Sequence, residues 1–373
     1  MSVPVIESVA GRRGLNEFIR FARQVYQDDP NWVPPLVVDL KEKLSRKKNP
    51  FFAHAEMELF LARRDGRVTG RIAAILDRNH NAVHNEKIVF FGLYESENDP
   101  ETSAALLDAV VAWGKERGMD TLRGPVNLSL NDECAFLLEG FDSPPVVMMP
   151  YNPRYYLELM DRYGMVKARD LYAFLGAKDH KPRPKVQEIV DKLRLEGRFT
   201  VRPLSRKTLD QDKDKILHVY NNAWQRNWGF VPWTPAEIEH MVAKLKQVAD
   251  LRIILLAEDK GRPVGFAFGL PNLNEVIKRM NGRLTPLGIL KYLYYRKRVK
   301  GIRTLVFGVV KEYQHTGLSY LLYDEFEKRV FGSGYEWGET SWQLEDNDLV
   351  NRFCLSVGAH LYKKYRIYEK KIA

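Results

Sequence analysis

Apolar positions fall into two similar series along the chain. Residues 16–27 and 36–46 have the spacing of amphipathic helices, and so do 212–226 and 235–248. Between the members of each pair lie Asn31-Trp-Val-Pro34 and Asn227-Trp-Gly-Phe-Val-Pro232. Each series then shows apolar runs around a tight turn. Met57 to Ile75 flanks Asp65-Gly66, and Leu251 to Gly269 flanks Asp259-Lys-Gly261. Such patterns predict β-hairpins. Trp32 precedes Gly66 by 34 positions, and Trp228 precedes Gly261 by 33. Shared order and spacing predict a tandem duplication.

Further strands and helices follow in step. Strands are predicted at 87–94 and 304–310, helices at 100–117 and 317–330, and strands at 120–126 and 335–342. Closing strands are predicted at 169–175 and 363–370. Lys178-Asp-His-Lys-Pro-Arg-Pro184 reads as a linker leading into a helix at 185–196. Hairpins mixed with helical crossovers predict an α/β fold with mixed central sheets. The expected units are 1–177, a connection 178–198, and 199–373.

Composition narrows the class. The 373 residues are 45% hydrophobic, which excludes a mainly disordered chain. Two cysteines, Cys134 and Cys354, exclude a disulfide framework and suit a reducing cytoplasm. The N-terminal residues lack a signal-peptide pattern, and no apolar run is long enough to span a bilayer. No HExxH, CxxC or His-x-His arrangement suggests a metal, and neither GxSxG nor GxGxxG occurs.

The most pointed chemistry lies at Gln314-His315-Thr316-Gly317-Leu318-Ser319, between a β-rich run and an amphipathic helix. A small-residue turn opening a helix presents unpaired amides and the positive end of the helix dipole, a cradle for a pyrophosphate. This segment, with its preceding strand and following Leu-Leu helix, resembles the Gln/Arg-x-x-Gly-x-Gly/Ala signature of the GNAT acyltransferase superfamily. The element order is similar to that superfamily's as well. The resemblance covers nearly the whole chain as two tandem GNAT-like domains, the second matching better. It implies acyl-CoA or acetyl-CoA as donor. Val309 and Val310 would receive the pantetheine arm, residues 314–319 would hold the pyrophosphate, and Asn347 matches an Asn of the downstream helix. Many members place a Tyr acid where this chain has Cys354, so Tyr362 and Tyr365 become alternatives. Glu339 and Glu345, near a strand end, are candidates to take the proton from an attacking amine.

In the first half, the equivalent turn carries Glu95, Glu97, Asp99 and Glu101, which would repel a pyrophosphate. That half is read as a degenerate copy. Candidate acceptor-binding residues are Asn127 and Asn131 in a long polar loop, with Tyr220, Asn221 and Trp224 facing them from the second half.

The net charge of +10 is concentrated. Residues 271–302 hold eight Lys or Arg against Glu275 alone, so this insert carries +7. Within it, 286–300 mixes aliphatics, three tyrosines and a basic cluster. That pattern suits an anionic membrane surface, with the insert expected beside the CoA site; nucleic acid is disfavoured for want of an accompanying motif. The leading reading is a CoA-dependent N-acyltransferase acting on an amine, with a lipid-like acceptor preferred, in a cytoplasmic protein peripheral to the membrane. The alternatives are an aminoacyl transferase using charged tRNA and a non-catalytic GNAT-fold sensor or scaffold.

Overall fold

The computed structural model describes residues 2–224 and 227–372; the side chains of 209, 210, 221, 223, 224, 245 and 247 lie outside that description. The first half runs β1 (Val5–Ser8), α1 (Gly11–Val25), α2 (Val37–Lys43), β2 (Ala55–Arg64), β3 (Arg67–Asp77) and α3 (Arg78–His84). It continues with β4 (Ile88–Ser96), α4 (Pro100–Lys115), β5 (Thr121–Gly124), β6 (Phe136–Glu139), α5 (Tyr155–Arg162) and β7 (Val166–Ala177). Then come α6 (Pro184–Glu196), β8 (Phe199–Pro203), α7 (Leu209–Trp224), α8 (Pro235–Val248), β9 (Ile254–Asp259) and β10 (Arg262–Pro271). The insert forms α9 (Asn274–Arg279) and α10 (Pro286–Tyr295). The chain ends with β11 (Gly301–Val309), α11 (Leu318–Gly332), β12 (Trp337–Leu344), α12 (Asp348–Ser356) and β13 (His360–Lys371).

The duplicated hairpins have a local cause. Asp65 and Gly66 sit at φ 51° and 77°, and Lys260 and Gly261 at 49° and 81°. Two consecutive left-handed residues form the turn whose twist matches a hairpin. Short elements escaped the pattern reading. In α3 the Asp77 carboxylate accepts from the amides of Asn79 and His80. The strand β6 has only four residues.

The described strands form one 13-stranded mixed sheet, not two. Its order is β1-β2-β3-β4-β5-β13-β7-β12-β11-β10-β9-β8, with β6 beside β13. Each half ends in a strand that lies next to the other half. β13 pairs antiparallel with β5, and β7 pairs antiparallel with β12. β13 and β7 also pair with each other from His360↔Leu175 to Glu369↔Val166. The connection into the second half is not loose either. Ile189 and Leu193 of α6 lie against Gly317 at the start of α11, and Arg194 pairs with Asp324 and Glu325.

The parallel strands β4 and β5 pair only from Ile88 to Phe90, after which they diverge. Chain from the following loop fills that gap. The Val126 amide donates to Phe91 O at 2.8 Å, and Asn127 Oδ1 accepts from the Leu93 amide at 2.7 Å. Gly92 is required here, because a Cβ would lie 1.9 Å from Val126 O.

A strap from the second half crosses the first. Asn131 Nδ2 donates to Val231 O at 3.0 Å, and the His84 ring nitrogen lies 3.0 Å from Phe230 O. At its end His54 bridges Asp77 and Glu237 of α8 at 3.1 and 3.2 Å. Hydrogen bonds to Asp77 and then Glu237 push His54 from 6.5 up to about 9.

Two predictions follow from these contacts. Gly92→Ala should lower the urea midpoint by the equivalent of about 3 kcal/mol, since neither backbone can yield. The stabilisation from His54 is complete below pH 6.5 and is lost as pH rises through about 9. Urea unfolding at pH 6 and pH 9.5 should show this loss, and His54→Gln should remove it; an unchanged pH dependence in the variant would assign it elsewhere.

Candidate functional site

In the second half the parallel strands also diverge. β11 and β12 pair from Gly301↔Trp337 to Thr304↔Thr340 and no further. A register shift between Phe268 and Gly269 leaves Leu305 as the extra residue on β11, which bends the strand away. On its other edge β11 stays bonded to β10, and Val310 donates its amide to Val264 O at 2.9 Å. Backbone groups alternate sides along a strand. Val310, Gly308 and Val306 therefore face β10, whereas Phe307 and Val309 turn their amides and carbonyls into the gap. Val309 thus suits an extended ligand arm and Val310 does not; Phe307, missed in the sequence, takes that place. Strict alternation from Val309 was the available signal.

Beyond β11 the chain makes a short turn into α11. Gly317, at φ 83°, is the N-cap and brings no side chain to cap the helix. The Leu318 amide meets the Thr316 hydroxyl only at 3.4 Å, and that hydroxyl donates to Tyr313 O at 2.7 Å. Gln314 Nε2 approaches Val309 O at 3.4 Å. His315 is exposed, Ser319 is half-buried and Leu318 is buried. Here the helix dipole meets open amides. The corresponding α4 differs: Asp99 accepts from the Glu101 and Thr102 amides, and Pro100 has no amide to offer. That helix terminus is self-capped by an anion.

The two faces of the β11–β12 gap differ in chemistry. On the side of α11 and α12, Phe353 stacks on Phe307 at 5.5 Å and on Tyr320 at 5.2 Å, with Tyr323 edge-on at 5.7 Å. Cys354 is buried beside Phe174 and Ala359, and burial pushes its thiol up to about 12. Asn347 uses its side chain to cap α12 through the Val350 amide at 3.3 Å.

The opposite face carries a buried polar cluster at the base of the gap. Glu339 is fully buried opposite Arg303, accepts from Ser341 Oγ at 2.5 Å and accepts from the Tyr362 hydroxyl. Arg303 Nε donates to Ser341 Oγ at 3.0 Å, and its Nη1 donates to Met148 O at 2.8 Å. Burial, and then Glu339, push the Tyr362 hydroxyl far up, so it stays protonated. Lys363 donates to Ser143 O and Pro144 O at 2.8 and 3.2 Å, and burial pulls it down to about 8. Tyr365 is fully buried, and its hydroxyl has no partner among the described residues. Arg303, Ser341 and Lys363 were not singled out from the sequence. An arginine inside the apolar run Ile302 to Val310 was the visible sign.

Other candidates are occupied elsewhere. Glu345 accepts from Lys167 Nζ at 2.6 Å and from the Asp170 amide at 3.1 Å. Asn127 and Asn131 hold the loop and the strap. Tyr220 packs near Phe230 and Trp233, at 5.9 and 6.1 Å between ring centroids. The Asn221 and Trp224 side chains lie outside the described residues. Residues 271–302 lie at the N-terminal end of β11, so the insert is not beside the 314–319 turn but at the opposite end of that strand. Among the described residues no cluster of His, Cys, Asp or Glu could hold a metal ion.

No protein-family model matches the chain. It is 35% identical over 380 residues to Protein YghO of Escherichia coli (strain K12), covering 99% of this chain and 95% of that protein. It is also 35% identical over 366 residues to the bacterial ceramide synthase of Caulobacter vibrioides, covering 96% of this chain and 95% of that protein. Among solved structures, a tandem GNAT protein from the clavulanic acid biosynthesis pathway superposes with a TM-score of 0.58 at 11% identity, covering 99% of both chains. Gaps between parallel strands, one filled and one open beside an uncapped helix, fit that architecture. The chain has the tandem GNAT fold and belongs to the family that includes YghO and the bacterial ceramide synthase.

Proposed function

We propose that this protein is an N-acyltransferase that moves an acyl group from acyl-CoA to the amine of a lipid-like acceptor. The observation that carries this reading is the open β11–β12 gap, which joins an uncapped helix terminus to the buried Glu339 cluster. The bacterial ceramide synthase supports the lipid-like acceptor by its name. The partner expected of residues 286–300 is an anionic membrane surface, where such an acceptor would be met.

The donor would lie along β11. The amides of His315, Gly317 and Ser319 would hold its pyrophosphate, aided by the α11 dipole, whereas the Thr316 amide is bonded to Tyr313 O. The open backbone of Phe307 and Val309 would pair with the pantetheine amides. Phe353 must part from Phe307 to admit the arm, because their rings now stack across the gap. The thioester would then face the polar cluster through the base of the gap.

The amine attacks the thioester carbonyl directly, forming a C–N bond; collapse then breaks the C–S bond and releases the thiolate of CoA. Glu339 is too enclosed to touch the amine. Its proton-accepting role passes through Tyr362: the tyrosine oxygen takes the amine proton as its own proton moves to Glu339. Arg303 holds the Glu339 side of the site in register through Ser341.

Three predictions test this reading. Titration calorimetry should show binding of CoA and tighter binding of palmitoyl-CoA; no heat with either would overturn the donor assignment. Gly317→Asp is a poor probe, since a Cβ there would meet Ile189 at 2.7 Å and φ is 83°. Ser319→Glu is better, because a carboxylate in the first turn suits the helix dipole yet repels a pyrophosphate. It should weaken CoA binding about tenfold or more without lowering the melting temperature. Tyr362→Phe should reduce kcat about 100-fold while the KM for acyl-CoA holds steady; an unaltered kcat would remove the relay.

A further inference from the structure

The α9–α10 insert leaves one apolar surface without a cover. On α10 the inward positions are Gly288, Tyr292 and Tyr295, packed toward the second half's core. The outward arc holds Leu287, Ile289, Leu290, Leu293 and Tyr294, with Leu287 and Leu290 exposed to 63% and 64%. Leu284, just before the helix, is also exposed. Large aliphatics gathered on one exposed helix are unusual for a surface in contact with water alone.

Charge decides what covers them. Arg283 precedes the helix, and Arg296, Lys297 and Arg298 follow it; all four are exposed. No carboxylate among the described residues pairs with them. Arg298 lies over the Tyr294 ring at 3.7 Å, and Arg296 over Tyr292 at 5.4 Å, so the cations stay at the rim of the apolar arc. An apolar face edged by unpaired cations is complementary to acyl chains beneath anionic headgroups. A protein partner would need an equally apolar patch ringed with acid, and a second copy would set these cations against each other.

The platform is firmly held and connected. Arg23 of α1 donates to Asn281 Oδ1 and to Asn281 O, each at 2.7 Å. Asn274 Nδ2 donates to Pro145 O at 3.0 Å, and the Val147 amide donates to Asn272 Oδ1 at 2.9 Å. The same loop receives Arg303 at Met148 O. One loop thus joins the start of α9, which leads into the exposed helix, to the base of the β11–β12 gap. We infer that α10 and its basic flanks dock this protein on an anionic lipid bilayer, with the acceptor entrance turned toward the membrane. The acceptor clause rests on the proposed function; the docking does not.

Co-sedimentation of the full chain with vesicles tests the docking without donor or acceptor. The probe is phosphatidylcholine vesicles with and without about 30% phosphatidylglycerol. The protein should pellet with the anionic vesicles, far less with the neutral ones, and less as salt rises. Neutralising three cations together (Arg296→Gln, Lys297→Gln and Arg298→Gln) should lower the partition coefficient roughly 100-fold. The pair Leu290→Glu and Leu293→Glu should abolish pelleting, with the melting temperature preserved because both sites are exposed. Failure of the wild type to bind anionic vesicles would overturn the inference, as would binding that these variants leave intact. A wild-type dimer that the leucine variants convert to monomer would assign the face to self-association instead. Turnover of a detergent-dispersed amine, measured alongside, separates the two ideas. Docking can fail while turnover persists, and turnover can fail while docking persists.

Discussion

Two parallel strands that part company leave backbone amides and carbonyls with nothing to pair with, and a folded protein does not leave such groups dry and unmatched. This chain meets the problem twice. Beyond Phe90 the answer is internal: Val126 and Asn127 enter the gap, and Gly92 makes room. Beyond Thr304 no such segment enters among the described residues. The rest of the second half is arranged around that edge. An uncapped helix terminus stands at one end, a buried carboxylate and arginine at the other, and aromatic rings lie across the middle.

Burying Glu339 and Arg303 opposite each other on neighbouring strands is costly unless each is held by hydrogen bonds. Here neither charge relies on the other alone. Ser341 and Tyr362 hold the carboxylate, and Ser341 and the 147–148 carbonyls hold the guanidinium. A satisfied polar network of this kind is rigid. Rigidity is what a site needs when the reacting groups come from ligands that must be aligned by the protein.

Much of this was legible in the sequence because it depends on local chemistry. Asp-Gly and Lys-Gly turns announce hairpins, and a Gln-x-x-Gly turn before a Leu-Leu helix announces a helix terminus free of side-chain caps. The contrast with Asp99-Pro100 was readable for the same reason. What could not be read depends on strands distant in sequence. The register of β11 against β12 sets Glu339 opposite Arg303, the pairing of β7 with both β12 and β13 brings Tyr362 to the same carboxylate, and no local pattern encodes that. By position Asn347 looked like a cofactor-binding group and Glu345 like a proton acceptor, yet one caps a helix and the other pairs with Lys167. Which backbone edge of β11 is free followed only once its pairing with β10 was known. The basic insert was found by counting charge, but its place at the far end of β11 came from the order of strands.

The exchange of β7 and β13 bears on how such a molecule can change over generations. Each half completes its sheet with a strand grown from the other, so a deletion of either half would leave the remainder with an exposed sheet edge in place of a core position. A duplicated gene ordinarily loses the copy whose activity has decayed. Here strand exchange alone gives the first half a reason to persist, so the turn before α4 can carry acids, a proline and a cap without cost to the shared sheet.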